Sequence, residues 1–196
     1  GTFGYQWQRN GVDIGGATGS TYTLGDADVG TNIGVVVSYT DGNGTAESLT
    51  SATVGPVANV NDAPAGAPAV TGATTEDQIL TANTATIADA DGLGAFSYQW
   101  QRNGVNIVGA AASTYALGDA DVGTNIGVVV TYTDGNGTAE SLTSATVGPV
   151  ANVNDAPTGA PVVTGTTTED QTLTANTATI ADADGLGTFS YQWQRN

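Results

Sequence analysis

"TNIGVVVTYTDGNGTAESLT" runs from Thr124 to Thr143. Ile126, Val128, Val130 and Tyr132 fall on alternate positions, the period of a strand with one buried face. "DGNG" at 134–137 then supplies the Asp-Gly and Asn-Gly pairs that favour a tight hairpin. The residues beyond it, "TAESLTSATVGPVANV" at 138–153, read as one long return strand. Such a hairpin predicts an all-β chain. Gly, Thr, Ala, Val, Asp and Asn dominate the composition, which suits short strands and many turns better than helices. No helix of any length is expected.

Five further strands are predicted upstream: "PAVTG" (68–72), "QILTANTATI" (78–87), "FSYQWQRN" (96–103), "VNIV" (105–108) and "STYAL" (113–117). In the third of these, Phe96, Tyr98 and Trp100 share one face and read as core, with Ser97, Gln99 and Gln101 opposite. Arg102 reads as covering this strand or pairing with a local acid. Seven short strands with a Trp on the third resemble an immunoglobulin-like β-sandwich. The resemblance is to fold. The cysteines that would join the sheets are absent, and Asn125 stands where the corner tyrosine of that fold would follow a "DADVG" turn.

The strand set recurs. Tyr5–Ser97 aligns with Tyr98–Ser190 without a gap, a period of 93 residues with 11 differing positions. That period is too long for a solenoid unit and fits one small domain per repeat, in tandem. "NVNDAP", at 59–64 and again at 152–157, reads as the linker between repeats. The expected organisation is therefore a partial repeat of later strands over 1–63, a complete repeat over 64–156, and a partial repeat of first strands over 157–196. The chain reads as a window on a longer array, with neither an initial Met nor a visible signal peptide.

The charge balance excludes whole classes of function. The chain has 19 acids against three arginines, with no lysine and no histidine, for a net charge of −16. Binding to nucleic-acid phosphates needs Lys/Arg clusters, and an anionic membrane surface needs the same. No apolar run approaches the ~18 residues of a membrane span. With no cysteine there are no disulfides and no thiolate metal sites. Without His, Lys or Cys the usual general bases, Schiff-base amines and triads are missing too. Paired carboxylates alone can hydrolyse glycosides, but so compact a repeat carries no insertion to form a cleft. No enzymatic activity is expected.

The acids fall mostly at turns. Successive strands alternate direction, so alternate turns share an end of the sandwich. Glu76, Asp77, Asp119, Asp121 and the exit linker's Asp155 belong to one end. Asp89 and Asp91 of "DADG", with the "DGNG" hairpin, belong to the other, beside Asp62 of the incoming linker. Repeats stacked end to end would bring Glu76, Asp77, Asp119 and Asp121 against Asp155, Asp182 and Asp184. The earlier junction would gather Asp26, Asp28, Asp62, Asp89 and Asp91. Glu169 and Asp170 are the third-repeat copies of Glu76 and Asp77 and take the same role. Crowded carboxylates repel one another, and a hard divalent cation removes the repulsion. Ca2+ accepts six to eight oxygens in flexible geometry, and Asp-x-Asp-Gly sets two carboxylates on one tight loop. Each acidic turn also has a plainer reading, in which the Asp side chains bond their own backbone. "DGNG" is read as a hairpin turn first, with a calcium role for Asp134 as the lesser reading.

A more specific resemblance follows from the set of motifs. "DADG" before the third strand, "TTEDQ" near the first turn, the acidic turn before the sixth strand and "NVNDAP" at the exit resemble cadherin repeats, whose calcium ligands come from the same four places. The match is partial: "GDADVG" and "NVNDAP" stand where cadherins have "LDRE" and "DxNDNAP". "YQWQRNG" and "GDADVGTNI…VVVSYTDGNG" are more similar to the bacterial immunoglobulin-like repeats of giant secreted (RTX-type) surface adhesins, over the whole chain. The resemblance implies extracellular, calcium-rigidified spacer domains that hold a binding tip away from the cell, each repeat partnered by its neighbours. Two alternatives stay open. One is a subunit of a self-assembling extracellular filament, with other copies of the chain as partners. The other is a carbohydrate-binding module, for which Tyr22 and Tyr115 are the candidate loop aromatics.

Overall fold

The computed structural model describes residues 2–195. Two compact units divide the chain. The first is Gly1–Gly66 with Ile87–Phe96 and Thr131–Glu140; the second is Ala67–Thr86, Ser97–Val130 and Ser141–Asn196. In the first unit β1 (Gly4–Arg9), β2 (Val12–Asp13), β3 (Ile33–Thr40) and β4 (Ala46–Thr50) form one antiparallel sheet, in the order β2-β1-β3-β4. Trp7 lies opposite Val35 and Tyr5 opposite Val37 in its central pair.

The complete repeat contributes β5 (Ala69–Thr71), β6 (Ile79–Asn83), β7 (Ser97–Arg102), β8 (Val105–Asn106), β9 (Thr114–Ala116), β10 (Ile126–Thr133) and β11 (Ala139–Thr143). They form two sheets, β5-β6-β9 and β11-β10-β7-β8. The first, second and fifth strands on one sheet, with the third, fourth, sixth and seventh on the other, is the immunoglobulin-like arrangement. The chain is all-β, as the alternating hairpin predicts. Its only helical elements among the described residues are two single 3-10 turns, Asp26–Asp28 and Asp119–Asp121. No helix among those residues is long and apolar enough to cross a membrane.

The inward face of β10 is the one its sequence names. Ile126, Val128 and Val130 are fully buried and Tyr132 nearly so, joined in the core by Leu80, Ala82, Trp100, Leu117 and Val150. The Trp100 indole N–H donates to the Ala112 carbonyl at 2.9 Å, and its ring stacks on Tyr115 at 5.7 Å between centroids. A buried indole needs both the packing and a partner for its one donor. The three copies of this tryptophan sit in three environments: Trp7 is half-buried, Trp100 is sealed and Trp193 is 52% exposed. The third repeat pairs β12 (Val162–Thr164) with β13 (Thr174–Asn176). Its "FSYQWQR" at 189–195 forms no strand. The letters match β7, but the partner strands that hydrogen-bond β7 have no counterpart among the described residues.

The return strand departs from the expected single run over 138–153. It ends at Thr143. Ser144 turns its hydroxyl to the Val128 N–H at 3.0 Å, taking the place of a backbone acceptor. The chain then pairs Val147 with Ile126, crosses the cis Gly148–Pro149 bond, and resumes in parallel, Val150 beside Val122 and Ala151 beside Thr75. Pro149 has no N–H to give a ladder. Leaving one strand partner for another lays the exit segment against the residues just before Glu76.

Core and surface substitutions should separate sharply. Trp100→Ala is expected to cost about 3–5 kcal/mol in urea unfolding. Val108→Ser, at a fully exposed side chain, is expected to change stability by under ~0.5 kcal/mol.

Candidate metal centres

The "DAD" turns do two separate jobs. Asp121 is buried and takes Arg102 Nε at 2.7 Å and the Tyr115 hydroxyl at 2.9 Å, with the Gly118 N–H at 3.0 Å on the same oxygen as the tyrosine. Asp28 repeats the arrangement with Arg9 at 2.8 Å, Tyr22 at 2.9 Å and the Gly25 N–H at 2.9 Å. Burial pushes the Asp28 carboxyl up. The Gly25 amide, the Arg9 and Tyr22 donors and the charge of Arg9 outweigh it and hold the group below its ordinary range. Both oxygens of Asp28 and Asp121 are therefore occupied by protein donors. The structure turns these two inward, away from the junctions at which the sequence placed them. A side chain two residues on from an exposed Asp in a 3-10 turn points to the other side, and an arginine waits there. Tyr22 and Tyr115 are committed to the same pairs and half-buried, which leaves no open aromatic platform at either.

The partner acids, Asp26 and Asp119, face outward into the junction groups. In the second unit Glu76 is 1% exposed. Its backbone N–H donates to the Ala151 carbonyl at 2.9 Å, and its Oε2 accepts the Val153 N–H at 3.1 Å. Its Oε1 is buried with no hydrogen-bond partner. One carboxylate oxygen from each of Glu76, Asp155 and Asp184 lies within 4.8 Å of the others. The Asp155 N–H donates to Asp184 Oδ2 at 2.8 Å, and the Asp184 N–H is held by Asp182 Oδ1 at 3.0 Å.

The electrostatics mark this group as crowded. The Val153 amide pulls the Glu76 carboxyl down. The nearby Asp119 carboxyl first, then burial and the charge of Asp155, prevail and push it up. Asp155 is also raised, by burial first and then by the charges of Asp119, Asp184, Asp77 and Asp182. The fold thus brings together Glu76, Asp77, Asp119, Asp155, Asp182 and Asp184.

The first unit builds the earlier junction to the same plan. The Asp62 N–H donates to Asp91 Oδ2 at 2.8 Å, and Asp91 Oδ1 takes the Asn136 amide at 2.9 Å. The Asp62 N–H above all, with Asn59 and Asn136, keeps Asp91 low against its burial. Asp62 is raised, by Asp26 first, then burial, then Asp91 and Asp89. The loop can approach this closely because Gly92 adopts φ +92 and because a Cβ at Gly94 would collide with the Thr133 carbonyl oxygen.

Asp89 bonds within its own loop and across to β10. Its Oδ1 holds the Asp91 N–H at 2.9 Å and its Oδ2 accepts the Tyr132 hydroxyl. There it joins Asp134 and Glu140, with an oxygen of each within 4.8 Å of the others. Glu140 is not singled out in the sequence as a ligand, and Asp134 is read there as a hairpin-turn residue before a ligand. The one signal was the sorting of turns, which sets the "DGNG" hairpin at the same end as "DADG". Glu169 and Asp170 are exposed in the turn between β12 and β13, and neither enters a group of three carboxylates among the described residues.

No family model matches the chain, and no curated protein is significantly similar to it. Among solved structures it is similar to domains A168–A170 of titin, at 13% identity and a TM-score of 0.34, over 76% of this chain and 54% of that one. The chain thus spans about half the length of that structure, and so distant a likeness carries no further inference.

What can be neutralised here is limited by the sequence. Arg9 and Arg102 are paired with Asp28 and Asp121, the remaining arginine is Arg195, and there is no lysine or histidine. Oxygen donors in such density suit a hard divalent cation, and the partnerless Oε1 of Glu76 fits one.

Two outcomes follow. Asp121→Ala strands Arg102 and Tyr115 and should cost about 2 kcal/mol in chemical unfolding. That is less than the 3–5 of a fully buried pair, because Arg102 is partly solvated. In chelator, Asp155→Asn should raise the melting midpoint at pH 7. Carboxyls raised in the folded state stabilise it at low pH and lose that contribution as pH rises through their folded values. The advantage of Asp155→Asn should therefore shrink as the pH is lowered toward ~4.

Proposed function

We propose that this chain is part of an array of extracellular spacer repeats from a bacterial cell-surface adhesin, rigidified by Ca2+ at the repeat junctions. The observation that carries this reading is Glu76, whose Oε1 is buried without a donor and whose carboxylate forms one group with those of Asp155 and Asp184. Asp77, Asp119 and Asp182 complete that site. Asp26, Asp62 and Asp91 hold the corresponding place at the earlier junction. When bound, Ca2+ supplies the positive charge these carboxylates lack.

The remaining work belongs to the chain's own residues. Glu76 Oε2 fixes the Val153 amide, and Asp184 fixes the Asp155 amide. Residues on both sides of the linker are thereby tied to one anionic group. Discharging that group holds neighbouring repeats in one orientation and converts a flexible string into a rod. Eleven differences in 93 positions suit a spacer, in which every unit performs the same task.

Thermal melts of the chain in millimolar Ca2+ and in chelator test this. A ligand confined to the folded form stabilises it by RT ln(1 + [L]/Kd). With Kd about 10⁻⁴ M, in the range tuned for weak sites, 1 mM Ca2+ adds about 1.4 kcal/mol. Glu76→Gln should remove the later junction's share of the gain. Equal midpoints in both buffers would refute the proposal.

A further inference from the structure

We propose a second divalent-cation site, inside the complete repeat and sharing no ligand with the junction groups, held by Asp89, Asp134 and Glu140. These residues come from the loop before β7, the tip of the β10–β11 hairpin and β11 itself. Their carboxylate oxygens lie within 4.8 Å of one another. Asp134 is 6% exposed. Its Oδ1 accepts the N–H groups of Asn136 at 2.9 Å and Thr138 at 2.7 Å, which is all the hairpin turn requires. Its Oδ2 is buried and has no partner. A turn aspartate needs one oxygen for its backbone bonds and leaves the other to water. Here the second is sealed, on a carboxylate that is grouped with two more acids, and among the described residues no arginine pairs with any of the three.

The surroundings are built rather than incidental. The Tyr132 hydroxyl donates to Asp89 Oδ2, which orients that carboxylate. Phe96 packs edge-on against Tyr132 at 5.5 Å and closes the apolar side. Asn61, in the incoming linker, donates to Glu140 Oε1 at 2.9 Å. The site is therefore linked to the linker by one hydrogen bond while taking none of Glu76, Asp155 or Asp184. Three carboxylates with a tyrosine oxygen nearby favour a hard cation such as Ca2+.

Tb3+ titration of the whole chain, read by tyrosine-sensitised emission, tests the site, because Tyr132 touches Asp89. The parent should show emission that Ca2+ competes away. Glu140→Gln should weaken this binding by on the order of tenfold or more, through the lost ligand charge, and Asp89→Asn should do likewise. Tyr132→Phe should remove the emission while the Ca2+-dependent rise in melting midpoint remains. Asp62→Asn, at the adjacent earlier junction, and Glu76→Gln, at the later one, should each leave the emission in place. Undiminished emission in both Glu140→Gln and Asp89→Asn, or emission lost only in Asp62→Asn or Glu76→Gln, would overturn the proposal. Absence of any Tb3+ or Ca2+ effect on the folded parent would overturn it too, and would leave an acidic cluster that binds no ion.

Discussion

Each linker is pinned by a carboxylate to which it brings further negative charge. The Asp62 amide is held by Asp91 and the Asp155 amide by Asp184, both at 2.8 Å. The hydrogen bond draws the linker's own aspartate into the group, and Asp62 and Asp155 are both raised as a result. The junction is thus attractive through its amides and repulsive through its side chains. Which of the two prevails depends on whether the charge is met by a proton, by a cation or by nothing.

The interior of each repeat settles the same problem locally. Arg9 and Arg102 end the tryptophan strands β1 and β7, and each takes one buried aspartate. Tyr22 and Tyr115 stack on Trp7 and Trp100 and complete those pairs through their hydroxyls. A charge-assisted bond to a guanidinium is short and strong, so these two acids are spent on the fold. With two of three arginines used in this way, the junctions have almost no positive charge of their own. The separation is sharp within three residues: Asp119 faces the junction and Asp121 the core.

Much of this was legible in the sequence. Period-two alternation placed Ile126, Val128, Val130 and Tyr132 in the core, and the turn residues fixed the β10–β11 hairpin. Sorting turns by strand direction was enough to bring Glu76, Asp119, Asp155 and Asp184 together. What it could not give was the direction of a side chain within a turn. Asp26 and Asp28 are one residue apart from adjacency and have opposite fates, decided by the position of Arg9 in space. The exit strand was misread because Ser144 and Pro149 interrupt a run whose composition stays strand-like throughout. Trp193 makes the same point from the other side: its neighbours in sequence are those of Trp100, yet it lies 52% exposed, because burial is conferred by partner strands and not by the local string.

The junction claim is best tested by the width of a distance distribution. The chain has no cysteine, so exposed Val105 and Val163 can be replaced by spin-labelled cysteines on either side of the second linker. Pulsed dipolar spectroscopy then reads their separation directly. A cation-locked junction predicts one narrow distribution in millimolar Ca2+ that broadens in chelator. Equal widths in the two buffers would contradict it.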